Sequence, residues 1–544
     1  MSCTKNFLIC VIFLNTVLHT SSGAPSTPAN TLNNTEFIIE KERALLVPDA
    51  NRLFENAPVA PRLTTPPQQP LLSTPLPTIA PTWALLNRKT KILRAQQDVV
   101  TRLFSNCVQG GYGNFYTPYL EGHFGSKQNP KYAYGLHFRH LSFGKDQYGE
   151  ESNNTLQAHG KVLREQWSLG GSVQYDRDGY ALYHLPTALA QHQVVHQCAA
   201  LGTLAQRFQG PFNYQLQVAF HYLRDRQQVQ EGQLGLKGVG DYALNDNFTW
   251  RVASALHWSR YAHSQAVHRH WYRLKPTLDF SWNALAVQGG VRLVYQHGAI
   301  GKVSAFNAYP VLEVGYELQP WLRPYAGVGG DMEHNTWQSL MQENPLLAPG
   351  VTLQHTHQRV TLYGGVKGDV LAQVAFHAGL VWGEYHDLPC FVNHTTKPGY
   401  FEVHYAPEAT MLNAFTELTH TNSAEIWTTR LRGDYFYYKL KKLQAPWHRP
   451  QYQLAWFSTY RLYDKIVFKG SLCWMGGLSA WDAQQGKAHK LDDVVDLGVG
   501  IDYWWNTQFS LFLNCQNLLA RANERYWHYP ARGRHFLIGL SYAW

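Results

Sequence analysis

"HFLIGLSYAW", residues His535 to Trp544, reads as one complete β-strand closed by an aromatic. Alternation across the pleat puts Phe536, Ile538, Leu540, Tyr542 and Trp544 on one face, and His535, Leu537, Gly539, Ser541 and Ala543 on the other. The first face is greasy; the second is mostly small or polar. A soluble sandwich turns such a greasy face into its core, whereas a membrane barrel turns it toward lipid. Both homes fit this stretch alone, and the rest of the chain decides between them.

From about Cys107 onward the chain is strand and turn. "QLGLKGVGDYALNDNFTWRVASALHW" runs out from Gln233, turns at Asn245 to Asn247 and returns from Phe248, and equally tight turns follow near Asn283, Gln319, Asp369, Asp464 and Asn506. Longer connections start at His297, Thr336, Glu384 and Gly476, so short and long alternate along the chain. A transmembrane barrel sorts its connections in this way, short on the periplasmic rim and long outside; a sandwich has no reason to. In "LAVQGGVRLVYQ", Leu285, Val287, Val291, Leu293 and Tyr295 share one face, and Gln288, Arg292 and Gln296 the other. Trp282, Trp321, Tyr325, Trp504 and Trp505 lie beside short turns, where an interfacial girdle belongs.

The expected fold is all-β: a transmembrane antiparallel barrel of about 22 strands (range about 16 to 22) with an extended Pro-rich N-terminal segment and a short helix. Parity supports the even number. If tight turns are periplasmic, the last strand descends, and the chain needs an ascending first strand, for which "RLFSNCVQGGYG" from Arg102 is the available segment.

Composition agrees. The 544 residues are 16% charged and 14% aromatic, with 18 Trp, 32 Tyr and 43 Gly, which excludes disorder for most of the chain. The net charge of +9 is spread along the sequence, which suits anionic lipid or lipopolysaccharide and not nucleic acid, for which no reading module is present. Residues 1–24 have the layout of a signal peptide: Lys5, an apolar run from Phe7 to Leu18, then small residues at Ser22 and Ala24. Residues 25–81 are an extended Pro-rich segment placed in the periplasm, 82–101 a short helix or linker, and 102–544 the barrel. After cleavage Cys107, Cys198, Cys390, Cys473 and Cys515 remain, odd in number and widely spaced, against a full disulfide framework or a metal knuckle.

Four stretches, "GNFYTPYLEGHFGSKQNPKYAYGLHFRHLS" (113–142), "LGGSVQYDRDGYALYH" (169–184), "QAPWHRPQYQLAWFSTYRLYDKIVF" (444–468) and "FSLFLNCQNLLARANERYWHYPARGRHFLIGLSYAW" (509–544), resemble outer-membrane barrels of Bacteroidota labelled TonB-dependent-receptor-like. The resemblance implies a relative of energy-coupled nutrient transporters in a Gram-negative outer membrane. Such receptors carry a folded plug, and the Pro-rich stretch here is too short and too poor in apolar pattern to form one. "TEFIIEK" from Thr35 stands where an energy-coupling box is expected.

No catalytic spacing is present, so no catalytic residue, cofactor or metal ligand is assigned and the chain is not read as an enzyme. Histidines gather at His263, His268 and His270, at His355 and His357, and at His334, a grouping that 26 histidines produce by chance. Asp492 with Asp493 and Glu150 with Glu151 read as solvated loop charge. The expected function is solute uptake across the outer membrane, the alternative a plug-less structural or assembly partner of an envelope complex. The partners are lipid and lipopolysaccharide, the barrel assembly machinery, and envelope proteins reached through the N-terminal segment. Phe536, Ile538, Leu540, Tyr542 and Trp544 form the expected assembly signal. Deleting Trp544, or appending a charged tail, is predicted to cut heat-modifiable protein in the membrane to a minor fraction; normal levels would leave Trp544 a girdle residue.

Overall fold

The structure is a computed structural model that describes residues 105–544, apart from 127–128, 130, 145–148, 183–191, 208–209, 298–304, 372, 423–425, 464 and 483–484. The signal peptide, Pro-rich segment and helical linker expected at 1–24, 25–81 and 82–101 lie outside the described residues.

The strands form a single 22-stranded antiparallel sheet in which each bonds to the next barrel strand along the chain. It closes where Asn106–Gly113 pairs with His535–Ala543, from Cys107 opposite Ala543 to Gly113 opposite Leu537. Closure is what hydrocarbon demands, because an unpaired strand edge there has no water to satisfy its N–H and C=O groups. Barrel strands run from 8 residues at the seam to 17 in Ala266–Trp282, against about 9–11 needed to cross, so the longest rise well beyond the bilayer. Among the described residues no helix is long and apolar enough to span a membrane; the strands do it.

The greasy face of the last strand points outward. Leu540 is 63% exposed, with Phe536, Ile538, Tyr542 and Trp544 exposed on the same side, while Leu537, Ser541 and Ala543 are buried between them. Val291 and Tyr295 are likewise exposed, and Arg292 and Gln296 buried on the opposite face. The chain is thus turned inside out relative to a soluble barrel: apolar outside, polar within. All the tight turns read from sequence lie on one rim, and Trp282, Trp321 and Trp505 are exposed beside them. Phe212, Tyr242 and Trp250, paired in register across three neighbouring strands, extend this aromatic row.

Three readings need correction. Tyr325 is buried and faces inward, its hydroxyl 2.7 Å from His377 Nε2, and Trp504 is half-buried on the inward register of its strand, so neither joins the girdle. Glu151 is not solvated loop charge: it opens the strand Glu151–Leu163 and is buried against Arg532. The long connections also carry structure that alternation could not foresee. These are the helix Trp337–Glu343 (α1) and small hairpins such as Leu388–Asn393 with Phe401–Ala406.

At the seam Gly111 lies opposite Gly539, and the Phe512 ring occupies the space their missing side chains leave. A Cβ on Gly539 would stand 2.3 Å from the Gly110 carbonyl and from Phe512 Cζ. Gly539→Val is therefore predicted to block closure, read as loss of the heat-modifiable band. Leu540→Arg, by contrast, is predicted to leave geometry intact and to cost about 2–4 kcal/mol of stability in bilayers, measured by denaturant titration in liposomes.

Candidate functional site: a lidded polar lumen

The long-connection rim is covered by a lid with its own apolar core. The connection 334–355 supplies α1, whose Trp337, Leu340 and Met341 are buried at the i, i+3, i+4 spacing of one helical face. Thr336 and Ser339 form a reciprocal capping box, and Pro345 follows the C-cap Asn344, where a helix cannot continue. The barrel itself finishes the cap: buried Glu231 accepts from the backbone N–H of Trp337 at 2.9 Å and of Gln338 at 2.8 Å. A carboxylate there meets the positive end of the helix and two donors that the short helix leaves free.

Two other connections join this arm. Ala348 N–H donates to the Phe401 carbonyl at 2.8 Å and Phe401 N–H to that of Leu346 at 2.9 Å, stitching the first arm to the hairpin at 388–406. From the last connection, 517–534, the Tyr526 hydroxyl donates to the Glu343 carbonyl and that of Tyr529 to Gly399. Tyr180, Val195, Leu223 and Tyr261, from the ends of four wall strands, complete the same core. The lid is thus anchored to the barrel as well as to itself.

Arginines pin its edges. Arg269 donates to the Asn335 carbonyl at 2.7 Å, Arg449 to that of Pro389 at 2.8 Å, and Arg532 to Glu151 at 3.0 Å, with Arg269 and Arg532 each 1% exposed. A guanidinium with five fixed donors suits this work better than a lysine, because it can satisfy carbonyls from different loops at once.

Below the lid the lumen wall is charged and internally paired. Arg251 bridges Asp241 at 2.7 Å and Asp279 at 3.0 Å, Asp331 receives Arg273 at 3.0 Å and Arg292 at 3.2 Å, and Arg432 joins Asp434 at 2.8 Å and Glu417 at 3.4 Å. Such a wall can hold and orient a polar solute by hydrogen bonds and charge without being uniformly positive or negative.

The histidines singled out from sequence divide. His263 and His268 are exposed, His268 and His270 on the outward register of their strand, while His334 and His355 meet under the lid with ring centroids 4.9 Å apart. His257, which the sequence pattern passed over, packs at a tilt against His334, with ring centroids 5.2 Å apart. The pattern also passed over Glu121, His123 and His137, whose ligand atoms lie within 4.8 Å of one another. Their signal was the i, i+2 pair "EGH" on one strand, to which only the register adds His137.

No protein-family model and no curated protein matches the sequence. Solved structures do. The FrpB iron transporter from Neisseria meningitidis aligns at TM-score 0.66 and 8% identity over 82% of each chain. The siderophore receptor PirA from Acinetobacter baumannii aligns at 0.62 and 11%, over 82% of this chain and 81% of that one. The ferripyoverdine receptor of the outer membrane of Pseudomonas aeruginosa, bound to ferripyoverdine, aligns at 0.60 and 11%, over 82% and 72%. The fold is that of these outer-membrane transport receptors.

Two predictions concern the lid. Arg532→Ala removes the buried guanidinium 3.0 Å from Glu151, a change of about 3–5 kcal/mol for a broken buried pair, and is expected to expose 517–534 to protease in the otherwise intact barrel. Acidification is expected to loosen the lid as well. His448, in the connection 442–451, is fully buried among Phe401, Tyr526 and Arg525, and burial followed by the Arg525 charge pushes it down to about 3. Burial likewise holds His334 well below the usual imidazole range, with His355, His257, Arg269 and Lys237 acting in the same direction. An undocked imidazole binds its proton below about 6.5 and the docked ones refuse it, so docking is at full strength above that pH and weakens as pH falls toward 3. Proteolysis of 387–407 should rise on going from neutral to acidic buffer, and less steeply in His448→Gln.

Proposed function

We propose that this protein is an integral outer-membrane barrel of a Gram-negative cell that takes up a compact solute, with the lid as the gate on its outer mouth. The observation that carries this reading is the pairing of a folded, barrel-anchored lid with a charged lumen. A scaffold needs neither. The structural neighbours are iron and siderophore receptors, and a metal chelate of similar size and polarity is the cargo class this reading favours. Binding and passage, not bond chemistry, are the activity.

In this reading the short-turn rim is periplasmic, so the first strand begins at Asn106 on that side, and the residues before it are proposed to meet envelope proteins. The outward face meets lipid and lipopolysaccharide. Phe536, Ile538, Leu540, Tyr542 and Trp544 are proposed as the signal read by the barrel assembly machinery, supported by their shared exposure on one face.

The test uses full-length protein in liposomes and a variant in which 336–354 is replaced by a short glycine linker. Wild type is expected to retain a ferric chelate in equilibrium dialysis, and the lid-shortened barrel to lose that retention and to leak small solutes. Absence of chelate binding in wild type together with a tight lid-shortened barrel would sink the uptake reading.

A further inference from the structure

The inner wall near the short-turn rim carries a group of side chains that neither the lid nor the ion pairs use. On the strand Thr117–Gly125, Tyr119, Glu121 and His123 alternate inward while Leu120 is exposed outward. The neighbouring strand Tyr132–Phe143 turns His137 and Arg139 inward, and the register sets His137 directly opposite His123 and Arg139 opposite Glu121. Two positions on one strand and one across the ladder thus converge by pleat geometry alone.

Their ligand atoms gather within 4.8 Å of one another. Glu121 Oε1 lies 3.2 Å from His123 Nε2 and 2.9 Å from His137 Nε2, and the two imidazoles stack with centroids 4.3 Å apart and planes 11° from parallel. A metal with bonds of about 2.0–2.1 Å to nitrogen holds its ligand atoms about 3.3 Å apart in a tetrahedron, close to the two carboxylate–imidazole spacings already present, and one of the stacked rings turns about its side-chain bonds to bring its in-plane lone pair onto the ion. The second oxygen of Glu121 accepts from the Tyr119 hydroxyl, the kind of outer contact that fixes a ligating carboxylate. Next along the wall is a third imidazole, His159. It lies opposite Gly135, where a Cβ would come 2.5 Å from its Cε1, so the absent side chain makes its room. The site faces the lumen, with His123 43% and Glu121 19% exposed at the side chain, so an ion can reach it.

We infer that Glu121, His123 and His137 form a lumenal binding site for a divalent transition metal ion of borderline softness, Zn²⁺, Co²⁺ or Fe²⁺, with a fourth position open to the lumen. Two imidazole nitrogens and one carboxylate oxygen select such ions over Ca²⁺ and Mg²⁺, which prefer all-oxygen shells. The inference goes beyond the uptake reading and does not depend on it, since it concerns a free ion at the inner end of the barrel and not the cargo at the lid.

The experiment is a Co²⁺ titration of the full-length protein in detergent, followed by the visible absorption of the ion, with Zn²⁺ as competitor. One equivalent of Co²⁺ is expected to bind and to be displaced by Zn²⁺. His137→Ala and Glu121→Gln are expected to weaken binding at least roughly tenfold. His140→Ala should leave it unchanged: His140 sits on the outward register of the same strand and bonds Asn154. A second reading needs no variant: Zn²⁺ should shield His123 and His137 of the wild type from diethyl pyrocarbonate, scored by peptide mass spectrometry. A wild type that takes up no Co²⁺, a His137→Ala titration matching wild type, or full reactivity of both imidazoles under Zn²⁺ would each overturn the site and leave the triad a hydrogen-bonded pair around a carboxylate.

Discussion

The pairing of the first strand with the last is the constraint on which the rest depends. Hydrocarbon offers no partner to a free backbone donor, so the sheet must close, and antiparallel closure between neighbours requires an even number of strands. An even number brings both ends of the barrel to one rim. It also fixes which connections share each rim, and every long connection falls on the rim opposite the chain ends, together with the tight turns at 114–116, 226–229 and 263–265. Gly111, Gly539 and the Phe512 ring make that seam sterically possible.

Having all long connections on one rim gives them something a single loop lacks, a common core. Apolar side chains from three connections and four strand ends bury one another, and the polar cost is met by Glu231, Arg269 and Arg532 at defined backbone and carboxylate partners. The same logic holds for the lumen wall, where charges on adjacent inward positions neutralise each other in pairs. Outside, none of this is needed, and the outward face is built from side chains that lipid tolerates.

What was legible in the sequence is what has a short period. Alternation of Phe536 to Trp544 and of Val291 against Arg292 survives in the structure, as does the strand count, whereas the alternation of short with long connections holds only in part, since 114–116, 226–229 and 263–265 are tight turns on the long-connection rim. What failed depends on contacts far apart in sequence. Glu151 looked like loop charge because Arg532, 381 residues away, is invisible to any local window. Tyr325 stood beside a turn, but its parity on the strand turned it inward. The lid was unreadable for the same reason: α1 is a seven-residue helix whose burial is supplied by other loops. Glu121 and His123 stand two apart on one strand but were passed over, and the register alone adds His137.

The lid draws on the last connection of the chain. Its core includes Tyr526 and Tyr529 from the final connection, immediately before the strand that completes the seam. The core over the long-connection rim therefore lacks two of its aromatic members until the last connection is in place. The packing of this core thus reports on the ring: it is complete only when the last connection, and the strand that follows it, are in place.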